Sequence, residues 1–318
     1  MSAVIARTNK GKNKVGKNTW QENLFILSCV IIPLLSFAVF YLYVNFDSFL
    51  MAFQKPVKGE LTWTLDNFKW VWTKILNGST NDVDNLQLAF KNTFITFGVQ
   101  IALFFVGLLV SYALYKQVLG YKAFRILFYL PSIISTVVSS FFYIEMMNSE
   151  WFQQMLTFLF SLDYDIASPL MDSDFANGMV LLNFIWLGIP SNMILWGGAF
   201  SRIPTAVLES ARIDGCNWVR ELFQIILPII WPTFVMLITT NLAGIFGATG
   251  SVFLLTGGEY GTQTVSNWLY MKVQGAGNDM DPRLYYASAL GLMLTVLSCA
   301  IAILSRSILN KHVEEVTF

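Results

Sequence analysis

Charged side chains that could bind a partner are concentrated in one short stretch of the sequence. Residues 209–228 read ESARIDGCNWVRELFQIILP and hold three acids, two arginines and one glycine. Strongly apolar runs, 178–200 and 229–248, flank this stretch. A charged segment joined at both ends to apolar helices is either a solvated connection or a surface on which another protein docks.

Residues suited to catalysis or metal binding are scarce. The single histidine, His312, lies in the polar C-terminal tail, and the apolar runs contain no paired carboxylates. Cys29, Cys216 and Cys299 are far apart and lack metal-ligand spacing. We therefore predict no catalytic residue, no metal site and no cofactor on this chain. The formal net charge of zero also gives no field to attract nucleic acid.

A second group of polar and aromatic side chains lies within or beside the apolar runs, where such groups could line a solute pathway. The candidates are Asn183, Trp186, Asn192, Trp196, Asn241, Tyr143 and Glu145. Alternatives stay open, because asparagine often bonds a neighbouring membrane helix and tryptophan often marks the membrane interface. Asn183 and Asn192 are half a turn out of phase on a straight helix, but Pro190 lies between them, where proline kinks a helix.

The composition indicates that a membrane surrounds the elements carrying these residues. The chain of 318 residues is 55% hydrophobic and only 13% charged, whereas soluble domains carry about 25% charged residues. A spanning helix needs about 20 apolar residues. The first candidate run is longer than the apolar part of a signal peptide, and no small-residue cleavage site follows it, so we predict an uncleaved helix. The six candidate spans are 24–44, 92–115, 126–147, 178–200, 229–248 and 285–308.

Lysine and arginine positions predict the orientation of these six spans. If the N-terminal segment is cytoplasmic, 13 of the 20 basic residues fall on the cytoplasmic side, as the positive-inside rule requires. Both termini are then cytoplasmic. The predicted domain plan is a basic segment 1–23, a six-helix transmembrane domain 24–308 and a tail 309–318. Within the domain we predict outer loops 45–91, 149–177 and 249–284, and a cytoplasmic loop 201–228.

The cytoplasmic loop has the local signals of two short helices joined by a turn. Pro204 ends the fourth span, and residues 205–213 are helix-compatible. Asp214-Gly215 is a turn pair, because glycine accepts positive φ. Residues 217–226 then repeat apolar side chains at helical spacing. The loop is therefore predicted to form an elbow, hereafter the coupling elbow (residues 204–228).

This elbow resembles the EAA loop of ABC importer permeases. The matching positions are Glu209, Ala211, Asp214, Gly215, Phe223, Ile226, Leu227 and Pro228, while Ser210 and Cys216 replace the usual alanines with small residues. Other stretches are similar to the carbohydrate-uptake branch of that family, which includes the maltose-type permeases. They are TLDNF (64–68), LAFKNTF (88–94), LPSIISTVV (130–138), LLTGGEYGTQT (254–264) and YYASALG (285–291), with Glu259 where the family usually has proline.

The resemblance implies an all-α integral membrane protein with the type I ABC importer permease architecture, located in the bacterial cell membrane. It implies a second homologous permease, two cytoplasmic ATPase subunits that bind ATP and Mg, an extracytoplasmic solute-binding protein and a sugar substrate. It also implies that Glu209 pairs with a basic residue of the ATPase, Gly215 makes the turn, Ala211 permits close approach and Phe223 anchors the elbow. The implied coupling set is Glu209, Ser210, Ala211, Asp214, Gly215, Cys216, Phe223 and Pro228.

Other functions stay open at this point. The same architecture could import another solute such as glycerol phosphate, although a phosphate-bearing solute favours arginines in the spans and none occurs before Arg306. An ion-coupled transporter predicts ionisable residues at mid-membrane and inverted repeats, neither of which is evident. A membrane enzyme is a more distant alternative. ATP cannot bind through a Walker A loop here, because the sequence contains none.

Overall fold

The computed structural model describes residues 19–57, 59–78, 84–160, 168–247 and 251–311, and most of them are helical. By its packing the chain divides into two units, Met1–Leu50 and Met51–Phe318. The predicted basic segment lies largely outside the described residues, as do His312 and most of the tail. The described fold is helical but not purely so, because a small hairpin corrects the all-α prediction.

The first half of the chain contains one long helical stretch, the hairpin and the second long helix. A π-helical stretch, Ala38–Tyr43, joins the first two helices without a break. The elements are α1 (Thr19–Phe37), α2 (Val44–Ala52), β1 (Gln54–Val57), β2 (Glu60–Trp63), α3 (Asp66–Asn77), α4 (Leu86–Tyr115), α5 (Tyr121–Ile133), α6 (Thr136–Asn148) and α7 (Glu150–Phe160).

The second half is built from shorter helices and closes with a third long one. Its elements are α8 (Ala176–Gly188), α9 (Met193–Phe200), α10 (Thr205–Ile213), α11 (Trp218–Arg220), α12 (Leu227–Ile229), α13 (Trp231–Ala243), α14 (Val252–Leu255), α15 (Val265–Gln274) and α16 (Pro282–Asn310). A 3₁₀ turn, Pro190–Asn192, separates α8 from α9. A π-helical turn, Glu221–Ile226, separates α11 from α12.

In the part of the chain that the structure describes, four helical stretches are long and apolar enough to cross a membrane: Asn23–Ala52, Leu86–Tyr115, Ala176–Phe200 and Pro282–Asn310. Two further stretches are long and apolar enough only when two helices are counted together. In these pairs the helix axis bends by 103° between α5 and α6 and by 84° between α11–α12 and α13. Each of the six predicted spans overlaps one of these. The first bend has a local cause, since Ile134 and Ser135 are extended, with ψ of 139° and 138°.

The ends of the long helices differ from their predicted ends because polar residues continue the helix. Helix α4 starts at Leu86 rather than residue 92, and the side chain of Asn85 caps it by accepting a hydrogen bond from the Leu88 amide at 3.1 Å. A capping side chain satisfies an amide that the first turn leaves unpaired. Hydropathy misses this turn because Gln87 and Lys91 lower the average without breaking the helix.

Within the second unit, one buried side chain bonds α3 to the start of the hairpin. Strands β1 and β2 pair antiparallel, with Gln54 opposite Trp63. Asn67 is fully buried, and its amide nitrogen donates to the carbonyls of Ala52 at 3.1 Å and Gln54 at 2.7 Å. Trp70 stacks on Tyr286 of α16 with ring centroids 4.0 Å apart. These contacts fix the hairpin and α3 against the last long helix.

A glycine turn between α14 and α15 is held by a polar cluster. Gly257 and Gly258 both have positive φ, +65° and +89°, as a tight turn requires. The amide nitrogen of Asn267 donates to Gln263 Oε1 at 2.6 Å and to the Gly257 carbonyl at 3.1 Å. Asn92 of α4 donates to the Gln263 carbonyl at 2.9 Å. The turn is thereby bonded to the start of α4.

Replacing Gly258 by alanine is expected to destabilise this turn. An added Cβ overlaps Gln263 Oε1 and Asn267 Nδ2, and the backbone is left-handed. Strain of about 1–2 kcal/mol adds to an overpacking cost of about 1–3 kcal/mol. Gly257→Ala is the matched control, because its Cβ meets nothing within 4 Å. Thermal unfolding in detergent should show a clearly larger loss for Gly258→Ala. Equal losses would mean that strain alone matters here.

Candidate functional site

The coupling elbow is shaped by a glycine-terminated helix. Gly215 has φ of +69°. Its amide donates to the Arg212 carbonyl at 3.1 Å, and the Cys216 amide donates to the Ala211 carbonyl at 3.0 Å. This pair of bonds is the Schellman motif, which ends a helix at a left-handed residue. Helix α10 occupies the predicted 205–213, so the helix and turn predictions are confirmed.

One face of the elbow is buried in a core shared with the long helices. Leu208 of α10 and Leu222 and Ile226 of the π-helical turn are buried. They belong to one apolar cluster with Phe104 of α4 and Phe234 of α13. The elbow is therefore packed onto the membrane helices and is not a free loop.

The other face of the elbow is exposed and mixes apolar with charged groups. Ile213 is 86% exposed, Trp218 58% and Phe223 52%. Glu209, Ser210, Asp214 and Arg212 are exposed beside them, while Cys216 and Pro228 are half-buried. Phe223, which the family resemblance implies as the anchor of the elbow, is exposed and does not pack against the core of this chain. Leu222 and Ile226 hold the elbow to this chain instead, because the π-helical turn changes which side chains face the core.

A buried ion pair joins the elbow to α4, and the sequence prediction missed it. The Nζ of Lys116 lies 2.6 Å from Oε1 of Glu221 and donates to Oε2 at 2.8 Å. The Glu221 side chain is 4% exposed and that of Lys116 is 22% exposed. The available signal was that Glu221 stands next to Leu222 on the apolar side of the elbow.

A cavity of about 570 Å³ lies among the membrane helices and brings together three of the predicted pathway residues. Asn183, Asn192 and Asn241 all line it, together with Gln100 of α4, which the sequence prediction did not single out. Asn183 and Asn192 reach the same space because the 3₁₀ turn at Pro190 breaks the helix between them. The helix changes to 3₁₀ geometry at Pro190, the position where a kink was predicted.

The amide groups around the cavity differ in how they are bonded. Gln100 donates to Asn241 Oδ1 at 2.9 Å, and Asn241 donates to the Leu237 carbonyl at 2.9 Å. Asn183 is fully buried, and among the described residues neither its Oδ1 nor its Nδ2 has a hydrogen-bond partner. Buried polar groups normally have partners. Because both atoms have almost no accessible surface, a polar solute in the cavity could bond this unpaired amide only if the cavity wall moved.

The described residues that line the cavity carry hydroxyls and amides but no ionisable group. Thr136, Thr240 and Ser251 supply the hydroxyls, while the apolar lining is Leu103, Phe184 and Leu187. The cavity can donate and accept hydrogen bonds, but it offers no fixed charge. Among the described residues, no group of three acids, histidines or cysteines could hold a metal ion.

The four other predicted pathway residues do not border this cavity. Trp196 is fully buried in the apolar core, with its ring centroid 5.2 Å from that of Phe104. Tyr143 is buried and donates to the Met179 carbonyl at 2.8 Å, and Trp186 lies over its ring at 6.5 Å. Glu145 is exposed. Trp196, Tyr143 and Trp186 thus take part in packing or in a structural hydrogen bond.

The comparison with protein families decides what kind of protein this is. The model described as "Binding-protein-dependent transport system inner membrane component" matches residues 93–315, which include most of α4, the elbow and every described cavity-lining residue. The chain belongs to this family. It is therefore a multi-pass inner-membrane subunit of a transport system rather than an enzyme, and the resemblance to importer permeases is confirmed.

The sequence identity to individual family members is below 30% in the following two comparisons. The chain is 26% identical over 283 residues to the arabinooligosaccharides transport system permease protein AraP of Bacillus subtilis, covering 85% of this chain and 84% of that relative. It is 29% identical over 188 residues to the sn-glycerol-3-phosphate transport system permease protein UgpA of Brucella suis, covering 58% and 62%. A crystal structure of a bacterial ABC transporter for the acidic polysaccharide alginate is similar in fold, with a TM-score of 0.73 at 21% identity over 94% of this chain and all of that one.

Proposed function

We propose that this family member is the permease subunit of an ATP-driven importer of uncharged oligosaccharides. The observation that carries the proposal is the amide-lined cavity, with the unpaired Asn183 at its wall. Sugar hydroxyls donate and accept hydrogen bonds, and so do amide side chains. The cavity volume lies within the range of about 300–1,000 Å³ typical of small-molecule sites.

The absence of ionisable side chains among the described lining residues favours an uncharged solute. A phosphate or carboxylate placed in a low-dielectric cavity without a cationic partner has a large desolvation cost. The names of the relatives include substrates of both classes, arabino-oligosaccharides and glycerol 3-phosphate. The cavity of this chain is matched to the first class. Glycerol phosphate and ion-coupled transport are the weaker alternatives.

The proposal includes a topology and an assembly. We place six spans across the bacterial cytoplasmic membrane by counting each bent pair once, with both termini in the cytoplasm. A second permease completes the pathway, and two ATPases on the cytoplasmic side bind ATP and Mg. An extracytoplasmic solute-binding protein delivers the sugar. The mixed apolar and charged face of the elbow supports ATPase docking, with Glu209 meeting a basic residue and Gly215 shaping the turn.

Transport of defined solutes tests this function. The complete complex, reconstituted in proteoliposomes with its binding protein, is expected to take up arabinotriose or maltotriose when ATP is enclosed on the ATPase side. Uptake of glycerol 3-phosphate and of an alginate trisaccharide should be at least about 10-fold slower, because a cavity without cations gives their anionic groups no partner. Radiolabelled uptake with and without ATP measures both points. Uptake driven by an ion gradient without ATP, or a preference for the anions, would overturn the proposal.

A further inference from the structure

The ion pair between Lys116 and Glu221 connects two parts of the molecule that are far apart in sequence. Lys116 directly follows the last residue of α4, and Glu221 begins the π-helical turn of the elbow. The Tyr112 hydroxyl, one turn earlier on α4, lies 3.5 Å from the Trp218 carbonyl and is oriented to donate to it. The end of α4 therefore contacts the elbow through a charged pair and a neighbouring hydrogen bond.

Stability alone does not account for a buried pair at this place. Burying the Glu221 carboxylate has a desolvation cost even with Lys116 half-buried beside it, so a well-packed apolar pair often stabilises a fold as well or better. What an ion pair adds is direction, because charge-assisted hydrogen bonds are short and fix geometry. The surrounding contacts of Leu222 and Ile226 hold the elbow to the core, but they are apolar and have no directional hydrogen bond. The pair is the element that fixes where the elbow sits along α4.

Helix α4 leads from this pair to the cavity. Gln100, which bonds Asn241 at the cavity wall, lies on the same helix. A rise of about 1.5 Å per residue puts it roughly 24 Å from Lys116 along the axis. The helix between them is continuous and has no proline. A displacement of its cytoplasmic end is thus carried as a rigid-body movement to the amide that lines the cavity.

We propose that Lys116 and Glu221 are positioning residues for transport: they fix the elbow to α4, so that movement of the elbow shifts Gln100 and reshapes the cavity. The inference rests on the proposed function, because it needs an ATPase that moves the elbow. It goes beyond the coupling residues predicted from sequence, all of which lie on the elbow itself. Neither Lys116 nor Glu221 touches the solute.

The test measures the sugar taken up per ATP hydrolysed by the reconstituted complex, using whichever of arabinotriose and maltotriose the wild type transports. Glu221→Gln keeps the side-chain shape but removes its charge, and is expected to lower this ratio at least 5-fold. ATP hydrolysis and co-purification of the ATPase should stay within 2-fold of wild type. The exchanged double variant, Lys116→Glu with Glu221→Lys, should recover at least half of the wild-type ratio. If the pair had a purely structural role, the variants would lose assembly and stability together with transport.

A matched control removes an acid from an exposed ion pair. Asp66 lies 4.0 Å from Lys55 on the outer segment, and Asp66→Asn should leave the ratio unchanged. If Glu221→Gln does not assemble, Lys116→Gln gives the same test from the more exposed partner. Wild-type coupling in the single variants, or an exchanged variant no better than the singles, overturns the inference. Failure of the wild type itself to couple uptake to ATP would instead overturn the proposed function.

Discussion

Replacing Asn183 by leucine is expected to make the protein more stable and nearly inactive. Both polar atoms of this amide are buried without a partner, and leaving such a group unpaired costs about 1–3 kcal/mol. Leucine has a similar size and no polar atom, so the free energy of unfolding should rise by about 1–2 kcal/mol. The thermal midpoint then rises by about 2–6 °C. Uptake should fall about 10- to 100-fold, because a sugar hydroxyl loses its partner.

Asn241 provides the matched control for this result, since it lines the same cavity but is bonded. Its Oδ1 accepts from Gln100 at 2.9 Å. Asn241→Leu removes the acceptor of the Gln100 amide, so the thermal midpoint should fall by several degrees while uptake also falls. Opposite stability changes with similar losses of transport identify Asn183 as a group kept unpaired for function. A lower midpoint for Asn183→Leu, or retained uptake, would contradict this role.

The elbow could be predicted from sequence because its signals are local. A proline before the first turn, an Asp-Gly pair and apolar spacing are each read within a few residues. The structure has the helix and the turn at those positions. The orientation of Phe223 could not be predicted, because a π-helical turn adds a residue per turn and alters which side chains face inward.

The spans could be located but their bends could not. Hydropathy averages over about 20 residues, whereas the break in the third span depends on two extended residues, Ile134 and Ser135. The cavity depends on the packing of four separate helical stretches, so sequence spacing alone could not separate Asn183, which lines it, from Trp196, which is core. The partner of Glu221 is 105 residues away, at a distance that no local pattern encodes.

Replacing Gly215 by a residue with a side chain is expected to reduce uptake at least 10-fold. Two substitutions can distinguish whether backbone strain or contact with the ATPase causes the loss. The residue has φ of +69°, and an added Cβ meets no atom of this chain within 4 Å. Alanine brings backbone strain of about 1–2 kcal/mol, whereas asparagine tolerates the left-handed conformation. Within this chain, Gly215→Asn should therefore leave the thermal midpoint nearly unchanged, while Gly215→Ala lowers it by a few degrees.

The order of the two variants in uptake should differ from their order in thermal midpoint, because we place the ATPase in the open space beside Gly215. Gly215→Asn projects the larger side chain into that interface, so ATPase co-purification and uptake should fall although the permease stays folded. Gly59→Asn is the matched control: Gly59 also has positive φ and open surroundings, but lies in the outer hairpin. If Gly215→Asn transports like wild type and only Gly215→Ala is impaired, the glycine serves the turn alone. The elbow would then meet its partner elsewhere, through Ile213, Trp218 or Phe223.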